Sequence, residues 1–217
     1  MNIHFSIFFL IEAIGTIAFA SSGAMVAIRQ RLDLLGVIVL GVTTAVGGGM
    51  LRDILLGNVP PSLFLNPVYV IMAFLTVLVI FCIVRMNQRI LESRSIEAYE
   101  KVMNIFDAIG LGAFTVTGID TAIAAGYKDF RFLSIFLGVL TGVGGGVLRD
   151  IMAGQTPFIL KKHVYACASL AGALCYVFLS DWITGDMTMI VSACLVVLIR
   201  MLATRYCWNL PAATPKK

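Results

Sequence analysis

Seven long apolar runs, separated by short polar segments, dominate the sequence and restrict what the chain can fold into. Apolar residues make up 59% of the 217 residues and charged residues 13%, against roughly 25% charged residues in soluble domains. A membrane-spanning helix needs about 20 apolar residues, and backbone in lipid must satisfy its hydrogen bonds internally. We therefore predict an all-α membrane protein with seven transmembrane helices. The predicted spans cover residues 5–28, 34–57, 67–84, 105–126, 132–154, 164–179 and 183–205.

The first six runs contain an internal repeat. Residues 11–15 (IEAIG) match 106–110 (FDAIG), and residues 47–54 (GGGMLRDI) match 144–151 (GGGVLRDI). Each copy holds three spans, so the second copy must enter the membrane upside down relative to the first, which gives two inverted three-helix repeats plus a seventh helix. The expected parts are repeat 1 at 5–84, a polar cytoplasmic connector at 85–101, repeat 2 at 102–180, the seventh span at 183–206 and a flexible tail at 209–217.

The positions of the basic residues predict the orientation of the chain in the membrane. With the N-terminus outside, twelve of the 16 Lys and Arg residues fall on the inner side, Arg200 among them at the inner end of the seventh span. Two fall outside, and the other two, Arg52 and Arg149, belong to the repeated motif. Cytoplasmic loops carry an excess of Lys and Arg. We expect an outside N-terminus and a cytoplasmic C-terminus.

Each repeat carries three successive glycines inside a predicted span. Each glycine costs about 1 kcal/mol in helix propensity relative to alanine, so the triplets need a reason. One interpretation is a kinked or unwound helix whose carbonyls face a watery path and replace the hydration shell of a cation. The other is packing, because small residues let helices approach closely; the two can hold together. The glycines are Gly47, Gly48, Gly49, Gly144, Gly145 and Gly146.

Charged and hydroxyl side chains inside the spans are the remaining candidates. Neighbouring residues on a helix do not face each other, so each charge of an Arg-Asp pair is expected to need a partner elsewhere. These charges either line or gate a pore, or anchor helix ends; an acid near a helix N-terminus is also favoured by the helix dipole. The hydroxyls either line a pore or bond to their own helix. The candidates are Arg52, Asp53, Arg149, Asp150, Glu12 and Asp107, with the hydroxyls of Ser21, Ser22, Thr115 and Thr117.

Several chemistries lack a motif in this sequence. There is no HExxH, GxSxG or P-loop pattern, so we expect neither an enzyme nor a cofactor. His4 and His163 are isolated, and the five cysteines form no CxxC pair, so no metal site is predicted beyond transient K⁺. The net charge of +4 is not gathered into a basic stripe, which argues against nucleic acid as a partner.

The doubled GGGxxRD motif, at 47–53 and 144–150, together with a seventh span, resembles the prokaryotic branch of the trimeric intracellular cation (TRIC) channel family, with its paired glycine-transporter-like domains. The resemblance implies a homotrimer in a prokaryotic inner membrane. It implies a pore in each subunit between the repeats, lined by spans two and five kinked at the glycines. The implied activity is passive flux of K⁺, with Na⁺ as a further ion and membrane lipids as neighbours. The alternative is a secondary transporter of a small solute such as glycine, which inverted repeats also fit.

Overall fold

The structure is a computed structural model that describes residues 6–87, 96–161, 164–206 and 208. Within these ranges the chain is helical and contains no β-strand. The helices are α1 (Ile7–Arg29), α2 (Leu34–Leu55), α3 (Ser62–Leu65), α4 (Val68–Met86), α5 (Ile96–Ala122), α6 (Arg131–Met152), α7 (Phe158–Lys161), α8 (Val164–Leu179) and α9 (Gly185–Arg205). A π-helical turn, Ile123–Tyr127, extends α5.

Each of the seven apolar runs corresponds to one helix, which confirms the all-α prediction. Six of them are long and apolar enough to cross a membrane: α1, α2, α4, α6, α9 and the segment Ala98–Tyr127 of α5 and its extension. The seventh, α8, is apolar but has only 16 residues. That length is below the roughly 20 residues that a straight crossing needs.

Four helices form the centre of the molecule. Among them α1 packs on α2 and α5, and α6 packs on α2 and α5. The remaining long helices are peripheral, because α4 lies against α1 and α2, whereas α8 and α9 pack on α5 and on each other. The first half of the chain is therefore covered by one outer helix and the second half by two.

The crossing of α2 and α6 depends on the glycine triplets. A Cβ atom on Gly48 would collide with the carbonyl oxygen of Thr141, and one on Gly145 would collide with the carbonyl oxygen of Thr44. The two contacts are reciprocal, because Thr44 and Gly48 of the first repeat occupy the positions of Thr141 and Gly145 in the second. Because glycine lacks a side chain, the two backbones approach more closely than any other residue allows.

The ends of α2 and α6 have the same local structure, which places the two motif aspartates. Gly57 and Gly154 adopt left-handed conformations with φ of 75° and 66°. The amides that follow donate back into the last turn, from Asn58 to the Asp53 carbonyl at 2.9 Å and from Gln155 to the Asp150 carbonyl at 2.8 Å. A left-handed glycine commonly ends a helix in this way, because the last carbonyls of the helix then accept hydrogen bonds that the helix itself does not supply. Each aspartate therefore lies one turn before the point at which the chain leaves its helix.

The fourth span begins earlier than the expected residue 105. Helix α5 starts at Ile96, so the last residues of the stretch assigned to the connector are helical. Tyr99 is buried there and its hydroxyl donates to the Met25 carbonyl at 2.6 Å, while Glu100 pairs with Arg29 at 2.6 Å. These contacts with the end of α1 hold the additional turns in place. The expected flexible tail, 209–217, lies outside the described residues.

Candidate functional site

The two motif arginines lie buried at the C-terminal ends of α2 and α6. Arg52 Nε donates to Asp53 Oδ1 at 2.9 Å, and Arg149 Nε donates to Asp150 Oδ1 at 2.8 Å. The two charges of each motif therefore contact each other although they are neighbours in sequence, and each also has a partner elsewhere, as expected. An arginine side chain is long enough to turn back over the helix end, where the adjacent carboxylate becomes reachable.

The second oxygen of each aspartate binds the short helix that follows. Asp53 Oδ2 accepts from the Ser62 amide at 2.9 Å and from its hydroxyl at 2.5 Å. Asp150 Oδ2 accepts from the Phe158 amide at 2.7 Å. A carboxylate is favoured where the free amides of a helix N-terminus point, so each aspartate fixes its arginine and the start of α3 or α7 at once.

The first of the two sites, which we call the Arg52 cluster, consists of Glu12, Arg52 and Asp53 and opens into a cavity. Arg52 Nη1 lies 3.9 Å from Glu12 Oε1, and Glu12 is also hydrogen-bonded by the Tyr69 hydroxyl. The cavity holds about 350 Å³. With two carboxylates against one guanidinium, the Arg52 cluster has a formal charge of −1. The cavity lining includes Glu12, Thr16, Gly49, Arg52, Asp53 and Tyr69.

The second site, the Arg149 cluster, consists of Asp107, Arg149, Asp150 and Arg200 and is closed. Arg149 Nη1 donates to Asp107 Oδ1 and to Ser22 Oγ, both at 2.6 Å. The side chains of Arg149 and Asp107 are 0% exposed. The Phe158 ring lies over the Arg149 guanidinium, 4.9 Å from ring centroid to Cζ. With two carboxylates and two guanidiniums, the Arg149 cluster is formally neutral.

The six glycines lie on continuous helices, because α2 and α6 are α-helical through both triplets. Of the two interpretations of the triplets, an unwound backbone is therefore not found in the described helices, and close packing of α2 against α6 accounts for Gly48 and Gly145. Gly47 and Gly144 face the leucines Leu148 and Leu51 across the same contact. Gly49 borders the cavity, with Arg52 Nη2 3.7 Å from the position of an added Cβ, whereas Gly146 has the Tyr165 hydroxyl at 2.8 Å.

The four candidate hydroxyls have different surroundings. Ser21 donates to the Ile17 carbonyl at 2.7 Å, and Thr115 donates to the Leu111 carbonyl at 2.7 Å while also contacting Ser169. Ser22 binds Arg149, as described above. The Thr117 hydroxyl is buried without a hydrogen-bond partner among the described residues. Only Ser22 of these four joins either arginine cluster.

Sequence reasoning missed Arg200 as a member of the second cluster. Its side chain is 2% exposed, and Nη2 lies 3.8 Å from Asp107 Oδ2. The seventh span ends at Arg205, as predicted, but Arg200, which was counted with the basic residues at its inner end, is buried within the helix bundle. A charge more than one turn inside a predicted span is a signal that could have found it.

The sequence model of the glycine transporter family matches this chain twice, at residues 9–85 and 104–181. A UPF0126 membrane protein of Deinococcus radiodurans is 35% identical over 203 residues, covering 93% of this chain and 89% of the relative. The UPF0126 inner membrane protein YadS of Escherichia coli K12 is 34% identical over 206 residues and 93% of both chains. These similarities and the apolar helices identify a multi-pass membrane protein.

Solved structures of channels share the fold. A structure solved to explain conductance through TRIC cation channels has a TM-score of 0.81 and 36% identity, and covers 97% of this chain and 98% of that chain. A prokaryotic TRIC channel crystallised in 0.5 M KCl has a TM-score of 0.83 and 30% identity, covering 94% and 98%. The TRIC trimeric intracellular cation channel orthologue from Rhodobacter sphaeroides has a TM-score of 0.81 and 30% identity. The chain belongs to the TRIC family, in which the glycine transporter unit occurs twice.

Proposed function

We propose that this protein is a cation channel that conducts K⁺ passively, and Na⁺ as a second ion, through a path inside each subunit of a homotrimer. The observation that carries the proposal is the cavity of the Arg52 cluster, which brings one excess negative charge beside the α2–α6 crossing. A low-dielectric cleft with a net charge of one sign concentrates ions of the opposite sign. The similarity to solved TRIC cation channels, at 30% identity or more over most of both chains, supports the same activity.

The proposed path runs from this cavity past the crossing of α2 and α6 to the Arg149 cluster. Supporting this direction, a second cavity of about 200 Å³ lies on the far side, lined in part by Arg29, Glu100, Gln155 and Phe158. Between the two cavities the helices are in contact and Arg149 is fully buried. The arrangement therefore corresponds to a closed channel, whose opening must separate α2 from α6 or move Phe158.

The proposal includes two inverted three-helix repeats, seven membrane crossings and an N-terminus on the outer side of a prokaryotic inner membrane. The reciprocal contacts of Gly48 and Gly145 support an axis between the repeats, as do the equivalent rings of Phe19 and Phe114, which pack together at 5.3 Å. An odd number of crossings in each repeat then places the two arginine clusters at opposite membrane surfaces. The excess of basic residues at the predicted inner loops supports the orientation.

A secondary transporter is the weaker candidate, because the structures that share this fold are cation channels. The same similarity argues against an enzyme. The two transport mechanisms differ in turnover, since only a channel passes enough ions at one time to give a step of current.

Purified protein reconstituted in a planar bilayer with KCl tests the proposal. We expect unitary current steps whose reversal potential in a KCl gradient follows K⁺ rather than Cl⁻. Glu12→Gln removes the excess charge of the Arg52 cluster and should lower the unitary conductance by at least about twofold at low salt, where screening is weak. Arg131→Gln, which breaks an exposed ion pair with Asp181, is the matched control and should leave the conductance unchanged. Saturable, gradient-coupled uptake without current steps would instead establish a transporter.

A further inference from the structure

We infer that Arg200 of α9 sets the ion conductance of the channel by neutralising the Arg149 cluster, which would otherwise attract cations as the Arg52 cluster does. The inference rests on the proposed channel function. It assigns a specific electrostatic role to a residue of the one long helix that lies outside the repeats.

Arg200 is held in the cluster without forming a complete set of hydrogen bonds. Its Nη2 lies 3.8 Å from Asp107 Oδ2, beyond hydrogen-bond distance, and neither Nε nor Nη2 has a hydrogen-bond partner within the described part of the chain. Its guanidinium lies over the Tyr165 ring, 4.7 Å from Cζ to the ring centroid. A buried charge that is left with free donors keeps most of its field, because neither water nor a partner dipole offsets it.

The Arg52 cluster shows what the Arg149 cluster would be without this residue. Glu12, Arg52 and Asp53 correspond in sequence to Asp107, Arg149 and Asp150, and Tyr69 corresponds to Tyr165 in the matching Val-Tyr pairs at the starts of α4 and α8. The first set has a formal charge of −1. Adding Arg200 to the second set brings its formal charge to zero. The difference in charge between the two clusters therefore comes from α9 alone.

A second guanidinium near Asp107 also competes with a permeating cation for the same carboxylate. Asp107 Oδ2 accepts no hydrogen bond from any residue that the structure describes, so it is the acceptor in the cluster that an ion or its hydration water would use. Arg200 Nη2 approaches that oxygen, whereas the Arg149 hydrogen bond is made to Oδ1. A fixed positive charge at this point raises the barrier for K⁺ and leaves the Arg52 cluster unaffected.

Single-channel recording of charge variants tests the inference. Arg200→Gln should raise the unitary conductance about threefold in about 0.1 M KCl, where the Debye length is about 10 Å, and by much less in about 1 M KCl, where it is about 3 Å. Arg200→Lys keeps the charge and should retain wild-type conductance. Arg205→Gln removes an exposed charge at the end of the same helix and is the matched control, expected to change nothing.

A second neutral variant separates the effect of the lost charge from an effect of misfolding. Arg200→Met keeps an unbranched side chain over Tyr165 and should reproduce the effect of Arg200→Gln. Wild-type conductance in both neutral variants would overturn the inference, and so would an equal increase in Arg200→Lys, because shape rather than charge would then be responsible. Failure of both neutral variants to give monodisperse protein while Arg200→Lys folds would assign Arg200 a structural role and also overturn it. Absence of current steps in the wild type would instead remove the proposed function itself.

Discussion

The Arg52 and Arg149 clusters are built from equivalent residues, yet one is open and the other is closed. In the first, Arg52 Nη1 lies 3.9 Å from Glu12 and the site borders a cavity of about 350 Å³. In the second, Arg149 Nη1 contacts Asp107 at 2.6 Å and neither side chain is exposed. A repeated motif therefore specifies the chemistry of each site, whereas the helices packed around it decide access.

Two further pairs of equivalent residues show how the closure arises. Tyr69 hydrogen-bonds Glu12 at the edge of the cavity, whereas Tyr165 is buried under Arg200 and places its hydroxyl against Gly146. The residue equivalent to Gly146 is Gly49, which faces the cavity. Helix α9 packs on α5 and α8 and carries the arginine that lies over this tyrosine, and no described helix takes the equivalent position beside α1 and α4. The asymmetry between the repeats therefore coincides with the side of the molecule on which the seventh long helix packs.

The largest expected difference between the clusters is in the unfolding free energy that each loses when its acidic residue is replaced by the matching amide. Asp107→Asn leaves the Arg149 and Arg200 charges buried without a shared carboxylate, and breaking a buried pair in this way costs about 3–5 kcal/mol of unfolding free energy. Glu12→Gln breaks a longer and partly exposed contact, for which we expect a loss of about 1 kcal/mol or less. Thermal unfolding of the detergent-purified proteins measures both. Equal losses in the two variants would show that the clusters are equally buried in the membrane, contrary to the comparison.

The helical segments and the pairing of the two motifs could be predicted from the sequence, because apolar runs of about 20 residues and repeated local patterns are local properties. The roles of Gly48 and Gly145 could not, since the choice between unwinding and packing depends on which backbone crosses the helix. Arg200 could not be placed either. Its helix has no repeat partner for comparison, and packing on α5 and α8 decides whether a single charged side chain of α9 points into the bundle or away from it.

The α2–α6 crossing should be more sensitive to an added methyl group than the cavity beside it. Gly48→Ala and Gly145→Ala each force a Cβ into a backbone carbonyl that cannot move independently, so we expect each to lower the unfolding free energy by about 1–3 kcal/mol. Gly49→Ala has no such obstruction and should be neutral or slightly stabilising because alanine has the higher helix propensity. Thermal unfolding compares the three variants. If Gly49→Ala were as damaging as the other two, the cavity would not extend to this glycine.

The smallest expected difference concerns the equivalent hydroxyls of Ser22 and Thr117. Ser22→Ala removes an acceptor from Arg149, whose Nη1 keeps its bond to Asp107, so the cost should be about 1 kcal/mol. Thr117→Val replaces a buried hydroxyl, which has no partner among the residues described, with a methyl group of similar size. Its cost should therefore be close to zero, or the variant should be slightly more stable. The same thermal measurement distinguishes them when each is repeated several times. A larger loss in Thr117→Val than in Ser22→Ala would mean that Thr117 binds ordered water that the cluster needs, and the contrast between the two repeats would then extend to hydration as well as to charge.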